Sequence, residues 1–261
     1  MEPLLWNVSN LRKLNFIRIE GFGGSSPPLH AKQNYMQFAD YKNIRLRAKN
    51  ATSGDIGKCP WSGYPVKAAV GEIRQYWSYL GEKPTLPEGY ENESVWHHNW
   101  KSLVQDNNCE VIFGVNNEHR ADIVGDNNTI IEIQKSPIDI RNVRERMNFY
   151  QDYSNERMIW IVDATPYFKK TFDIVQDGKF FKAIWKNKRQ WTYLIAQNPD
   201  CNLFLDINHN KNNLLKTWVR KGEIYCMFYN KTRFYNEYLQ NYGTCKNEDE
   251  VLSKLISKEK N

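Results

Sequence analysis

No stretch of this chain approaches the roughly 18 uncharged apolar residues that a membrane span requires, and Met1 to Leu14 lacks a cationic segment followed by an apolar run. A membrane-embedded or exported protein is therefore not expected; a soluble, cytoplasmic one is. Cysteine is sparse and badly arranged for cross-linking. The five thiols, Cys59, Cys109, Cys201, Cys226 and Cys245, are odd in number and never form a CxxC pair, which argues against both a disulfide framework and an intact zinc ribbon. They are expected to be buried or inert. No internal repeat is visible. What is present is ample apolar material, 41 % of 261 residues, for a buried core. A net charge of +6 suits an anionic partner such as nucleic acid without specifying one.

Glycine and proline divide the chain. Gly21 to Pro28 (GFGGSSPP) reads as a loop, and Gly81 to Gly89 (GEKPTLPEG) as a module boundary. Beyond it Glu93, Trp96, His97, Trp100, Lys101 and Val104 recur at three- and four-residue spacing, one face of a helix. Two β-rich runs follow, Cys109 to Val124 and Thr129 to Gln134, joined by a turn at Gly125 to Asn128 and able to pair as a hairpin. Ser136, Pro137 and Asp139 then supply an N-cap, a first-turn proline and a first-turn acid for a helix carrying Ile140, Val143, Met147 and Tyr150 on one stripe. Met158 to Ala164 (MIWIVDA) has the unbroken apolar character of a fully buried strand. After it come a hairpin at Asp177 and Gly178, strands at Cys201 to Ile207 and Glu223 to Tyr229, and a terminal helix from Lys246 to Lys260. The fold class expected is a mixed α/β (α+β) one, in three parts: an N-terminal module over 1–84, a core over 85–165 and a β-rich extension over 166–261.

In a strand at 129–134, Glu132 and Gln134 share one face while Ile131 and Ile133 take the other. If the preceding strand pairs with it, Asp122, between Ala121 and Ile123, is expected to reach the same spot. Paired carboxylates of this kind suit a hard divalent cation, but solvent-facing acids are also common in hairpins. Trp96, Trp100 and Trp160 fall on apolar stripes and are expected in the core, and His98 at the surface. Lys186, Lys188 and Arg189 form a cationic run suited to contacting phosphates.

Asp122, nine intervening residues, Glu132-x-Gln134 and a capped helix resemble the PD-(D/E)xK restriction-endonuclease-like core, a mixed sheet flanked by helices, with glutamine in place of its lysine. A closer similarity is to the competence protein CoiA-like nuclease family. It rests on Glu93, Ser94, His97, Trp100 and Lys101; on His119 to Ile123; on Ile131 to Gln134 with Ser136 to Ile138; on Glu145, Arg146 and Tyr150; and on Trp160 to Ala164. The resemblance implies metal-dependent hydrolysis of phosphodiester bonds in DNA. Asp122 and Glu132 would hold Mg²⁺ or Mn²⁺, and Glu93 would be a further ligand. Gln134 would be a water-positioning or structural amide, since it carries no charge. Lys101 or Arg146 would supply the missing positive charge and nucleic-acid contacts. His97 would be a proton donor or phosphate contact, and His119 a weaker candidate for the site.

Relatives of this kind place a zinc-binding module before the core, with C-P-x-C-G and H-W-x-H elements. The matching stretches here are Cys59 to Gly63 (CPWSG) and Tyr76 to Tyr79 (YWSY), so only Cys59 of the ligands survives. A tetrahedral site needs about four N or S donors. The expectation is a degenerate, zinc-ribbon-like module without zinc, held by Trp61, Tyr64, Tyr76, Trp77 and Tyr79.

Overall fold

A computed structural model describes residues 36–72, 75–81, 94–116, 118–154, 157–186 and 190–256. Gly21 to Pro28, Glu93, Lys188 and Arg189 lie outside the described residues. Everything below belongs to one compact unit that begins at Asn34.

Five short antiparallel strands come first: β1 (Phe38–Tyr41), β2 (Ile44–Arg47), β3 (Ile56–Lys58), β4 (Pro65–Val70) and β5 (Gln75–Tyr79), in the order β2-β1-β3-β4-β5. Alternation in β4 buries Val66 and Ala68 and exposes Pro65 and Lys67. Their small core gathers on the fully buried Trp77, with Trp61 and Tyr79 packed against it. Tyr64, expected to help hold the module, is 46 % exposed because it lies in the turn outside this cluster. Cys59 sits in a knuckle-like turn. Its carbonyl accepts the Gly63 N–H at 2.9 Å, and its sulfur accepts the Ser62 N–H at 3.4 Å and the Tyr79 hydroxyl at 3.2 Å. Tyr79, from the second stretch aligned with zinc ligands, thus hydrogen-bonds to the remaining thiol. Metal analysis of the purified protein is expected to find far less than one zinc per chain; a stoichiometric content would overturn this reading.

The larger sheet has nine strands: β6 (Cys109–Phe113), β7 (His119–Val124), β8 (Ile130–Gln134), β9 (Met158–Asp163), β10 (Phe172–Asp177), β11 (Phe180–Trp185), β12 (Cys201–Asp206), β13 (Asn213–Arg220) and β14 (Glu223–Asn230). Their order is β10-β11-β14-β13-β12-β9-β8-β7-β6; β8 and β12 run parallel to β9, and all other pairs are antiparallel. The described helices are α1 (Val95–Lys101), α2 (Ile140–Tyr150), α3 (Gln190–Gln197), α4 (Lys231–Tyr238) and α5 (Glu248–Leu255). None is long and apolar enough to cross a membrane. On one face Val143, Trp191 and Ile195 of α2 and α3 pack with Trp160 and Val162. On the other, Trp100, Phe234 and Val251 of α1, α4 and α5 pack with Ile131, Ile133, Ile159 and Ile161. Apolar packing on both faces is why β9 reads as an unbroken hydrophobic run.

The sheet continues across the division expected at residue 165, since β9 pairs along its length with β12. Helix α2 starts later than its sequence suggests: Asp139, not Ser136, is the N-cap, accepting the Arg141 N–H at 2.7 Å, so Pro137 precedes the helix. The β7–β8 turn needs its small residues. A Cβ on Gly125 would lie 2.4 Å from the Tyr238 carbonyl oxygen, and Asn127 and Asn128 take φ of 54° and 56°. Arg47 fastens the small sheet to the large one. Buried under the Phe38 ring, it donates to the Lys101 carbonyl at 3.1 Å and the Cys109 sulfur at 3.0 Å and pairs with Asp106.

Candidate active site

The β7–β8 ladder pairs Ile123 with Ile131 and Val124 with Ile130, then ends. Asp122 and Glu132 are the next residues beyond the last pair. On the other side of β7 the register passes from Cys109–Ile123 to Val111–Ala121, skipping Glu110, whose φ is 50°. The strands fork here, and the Asp122 carboxylate fills the fork. Its Oδ2 accepts the Ile133 N–H at 2.8 Å in place of a ladder bond. Its Oδ1 lies 3.0 Å from His97 Nε2 and 3.2 Å from Lys101 Nζ.

His97 and Lys101 are four residues apart on α1 and so point the same way. Ser94 caps this helix by accepting the His97 N–H at 3.2 Å, and the helix ends at Lys101, short of Val104. Lys101, expected to meet a phosphate, is 1 % exposed. Its ammonium also pairs with Glu110 Oε1 at 3.0 Å, and Glu110 Oε2 accepts from Arg120 at 3.0 Å. Carboxylates on two sides compensate the desolvation of a buried ammonium. Neither Glu110 nor Arg120 was assigned a role from sequence. Glu110 resembles any strand acid, and neither its positive φ nor its pairing with Lys101 is visible in the sequence.

Glu132 is 1 % exposed and is met from the opposite face, where Arg146 of α2 pairs with its Oε2. The two carboxylates thus take their partners from helices on opposite faces of the sheet, and Glu132 is buried, while Asp122 lies near enough to act on it electrostatically. Among the described residues, Glu132 Oε1 is buried without a hydrogen-bond partner. Burial raises the Glu132 carboxyl to about 7, against the pull of Arg146 and with a further push from Asp122. Burial also pushes Asp122 upward, but His97, Lys101 and the Ile133 N–H outweigh it and hold that carboxyl well below the usual range. An acid whose folded pKa is raised contributes stability below its ordinary value and loses it as pH climbs through the folded one. In EDTA, the wild type should therefore lose melting temperature relative to Glu132→Gln between pH 5 and pH 8; parallel curves would refute the assignment.

The other expected residues divide clearly. Gln134 turns its amide into the β8–α2 connection, where Nε2 donates to the Ser136 carbonyl at 2.7 Å. His119 packs on Phe149 with ring centroids 4.3 Å apart, and burial lowers its pKa. Lys186 is exposed after β11, and four strands intervene between β11 and β8, which places it about 24 Å across the sheet. Trp96, Trp100 and Trp160 are buried, as expected, and His98 is exposed.

Among the described residues no three His, Cys, Asp or Glu side chains are grouped so as to hold a metal ion. Two acidic oxygen donors nevertheless suit Mg²⁺, which typically takes one or two carboxylates and completes its shell with water and substrate phosphate. The unpartnered Glu132 Oε1 is a donor atom of that type.

No curated protein and no solved structure matches the chain. Residues 106–234 match the family model described as competence protein CoiA, nuclease-like domain. The match runs from the turn before β6 to α4 and contains Asp122, Glu132, Gln134 and Arg146. This match, over just under half of the chain, supports a relationship to the CoiA nuclease-like family.

Proposed function

We propose that the protein hydrolyses phosphodiester bonds in DNA with Mg²⁺ or Mn²⁺ held by Asp122 and Glu132. The observation that carries this reading is the strand fork: a buried carboxylate, Glu132, and a partly exposed one, Asp122, at the point where a ladder ends, with a buried ammonium 3.2 Å from Asp122. A bound cation would polarise the scissile phosphate and lower the pKa of the attacking water.

The chain's own residues have separable tasks. The Ile133 N–H and His97 fix the Asp122 carboxylate, and Arg146 fixes that of Glu132. Lys101, buried between Glu110 and Asp122, supplies positive charge from a helix instead of the strand where Gln134 stands, and acts on the reaction through the Asp122 carboxylate, not by touching the phosphate. His97, 18 % exposed, is the member of the Asp122 cluster that can exchange a proton with the leaving oxygen. Glu93 would join as a further metal ligand.

The engagement of the Gln134 amide by Ser136 favours one alternative, an accessory protein that binds DNA and does not cut it. Wild type and Asp122→Ala, incubated with single- and double-stranded DNA in Mg²⁺, Mn²⁺ or EDTA, separate the two. Metal-dependent cleavage that disappears in the variant supports the nuclease. Binding by both without cleavage supports the accessory role.

A further inference from the structure

The parallel strands β8, β9 and β12 end side by side, with Gln134 opposite Val162 and Asp206 opposite Asp163. Two aspartates thus stand buried at adjacent strand ends, 1 % and 0 % exposed, and their surroundings differ. Asp206 is fully engaged. Its Oδ2 lies 2.9 Å from Lys231 Nζ and accepts the Trp96 Nε1–H at 2.9 Å, while Oδ1 accepts the Asn208 N–H at 3.2 Å. Among the described residues, no lysine pairs with Asp163. Its Oδ1 accepts the Thr165 N–H at 3.0 Å and lies 2.8 Å from His209 Nε2, and among the described residues its buried Oδ2 has no hydrogen-bond partner.

A buried carboxylate needs a compensating charge. For Asp163 the nearest candidate is His209, a loop residue 26 % exposed. With Nε2 directed at Asp163, the opposite ring edge, Nδ1, faces away from the carboxylate. The ring also stacks on Trp96, centroids 5.7 Å apart at 24°. Trp96 precedes His97 on α1, so consecutive residues of one helical turn hold the His209 ring and the Asp122 carboxylate. The loops leaving the three strand ends add the exposed Lys135, Lys170 and Lys211. The carboxyl edge of a parallel sheet is a common ligand site, and here its rim is cationic.

We propose that His209, oriented by Asp163, contacts a backbone phosphate of a nucleic-acid strand that runs along the carboxyl ends of β8, β9 and β12 from the Asp122–Glu132 fork. The proposal rests on the preceding functional reading for its ligand class. Among the described residues the imidazole pairs with Asp163 from β9, and the neighbouring Asp206 from β12 pairs with Lys231 from α4.

Binding of fluorescently labelled DNA oligonucleotides, followed by anisotropy in EDTA at pH 6 over a range of salt, tests it without requiring cleavage. His209→Asn should weaken binding about five- to twenty-fold and reduce the slope of log affinity against log salt by about one. His209→Arg should restore the slope, and Asp163→Asn should reproduce the loss. Unchanged affinity and slope in His209→Asn overturn the proposal, as does a loss of affinity at unchanged slope that arginine does not rescue, which marks a purely structural histidine. Absence of DNA binding by the wild type overturns it too. Wild-type cleavage with normal binding by His209→Asn sinks the contact and leaves the nuclease reading standing. Slope-linked loss of binding in a protein that cleaves nothing does the reverse.

Discussion

Asp122→Asn is expected to reduce metal-dependent DNA cleavage by at least about a hundredfold while leaving the protein folded. The carboxylate has three partners: the Ile133 N–H on Oδ2, and His97 and Lys101 on Oδ1. An asparagine amide keeps one acceptor oxygen, so it can serve either the backbone N–H or the cationic side but not both. Its NH₂ group then faces another donor. The cost of that mismatch is about 1 to 3 kcal/mol, which a domain with a two-faced core should survive. Catalysis loses more, because a neutral amide is a poor ligand for a hard cation. Turnover at saturating Mg²⁺, measured well below the melting midpoint, decides the matter. Activity within about threefold of wild type would remove Asp122 from the metal site.

This effect could be anticipated because the residues that make it are adjacent in sequence. Asp122, Glu132 and the turn between them lie within one hairpin, whose alternation, turn residues and following helix are all local signals. β9 was legible for a similar reason: a strand buried on both faces writes that fact into an unbroken run, Met158 to Asp163. What could not be read depends on long-range placement. Beside the fork, Glu110, with its positive φ, forms no rung with Asp122 in the β6–β7 ladder, and nothing about a glutamate between Cys109 and Val111 announces it. Strand β13, NLLKTWVR, mixes apolar and charged residues without strict alternation, because its neighbours β12 and β14 determine which side chains are covered. Arg47 looks like a solvent cation in the sequence, yet it is buried between the two sheets. The same limit applies to the pairing of Asp163 with His209, which are 46 residues apart.

Lys101→Met is expected to lower stability by about 3 kcal/mol, the lower end of what breaking a buried ion pair costs, and to depress the melting temperature by roughly 6 to 12 °C. The ammonium is 1 % exposed and lies between Glu110 and Asp122, at 3.0 and 3.2 Å. Methionine fills the aliphatic volume but leaves the Lys101-facing oxygens short of a cation, so the loss comes from carboxylates, not from a cavity. Arg120 still serves Glu110, and His97 still serves Asp122, which keeps the cost from being larger. Adding Glu110→Gln removes one uncompensated charge, and the double variant should recover part of the lost melting temperature. Activity should behave otherwise: if Lys101 supplies the charge that Gln134 lacks, the double variant stays catalytically impaired even as its stability returns. Recovery of both together would reduce Lys101 to a structural cation; recovery of stability alone identifies an electrostatic role for Lys101 in cleavage that is separate from its part in holding the fold.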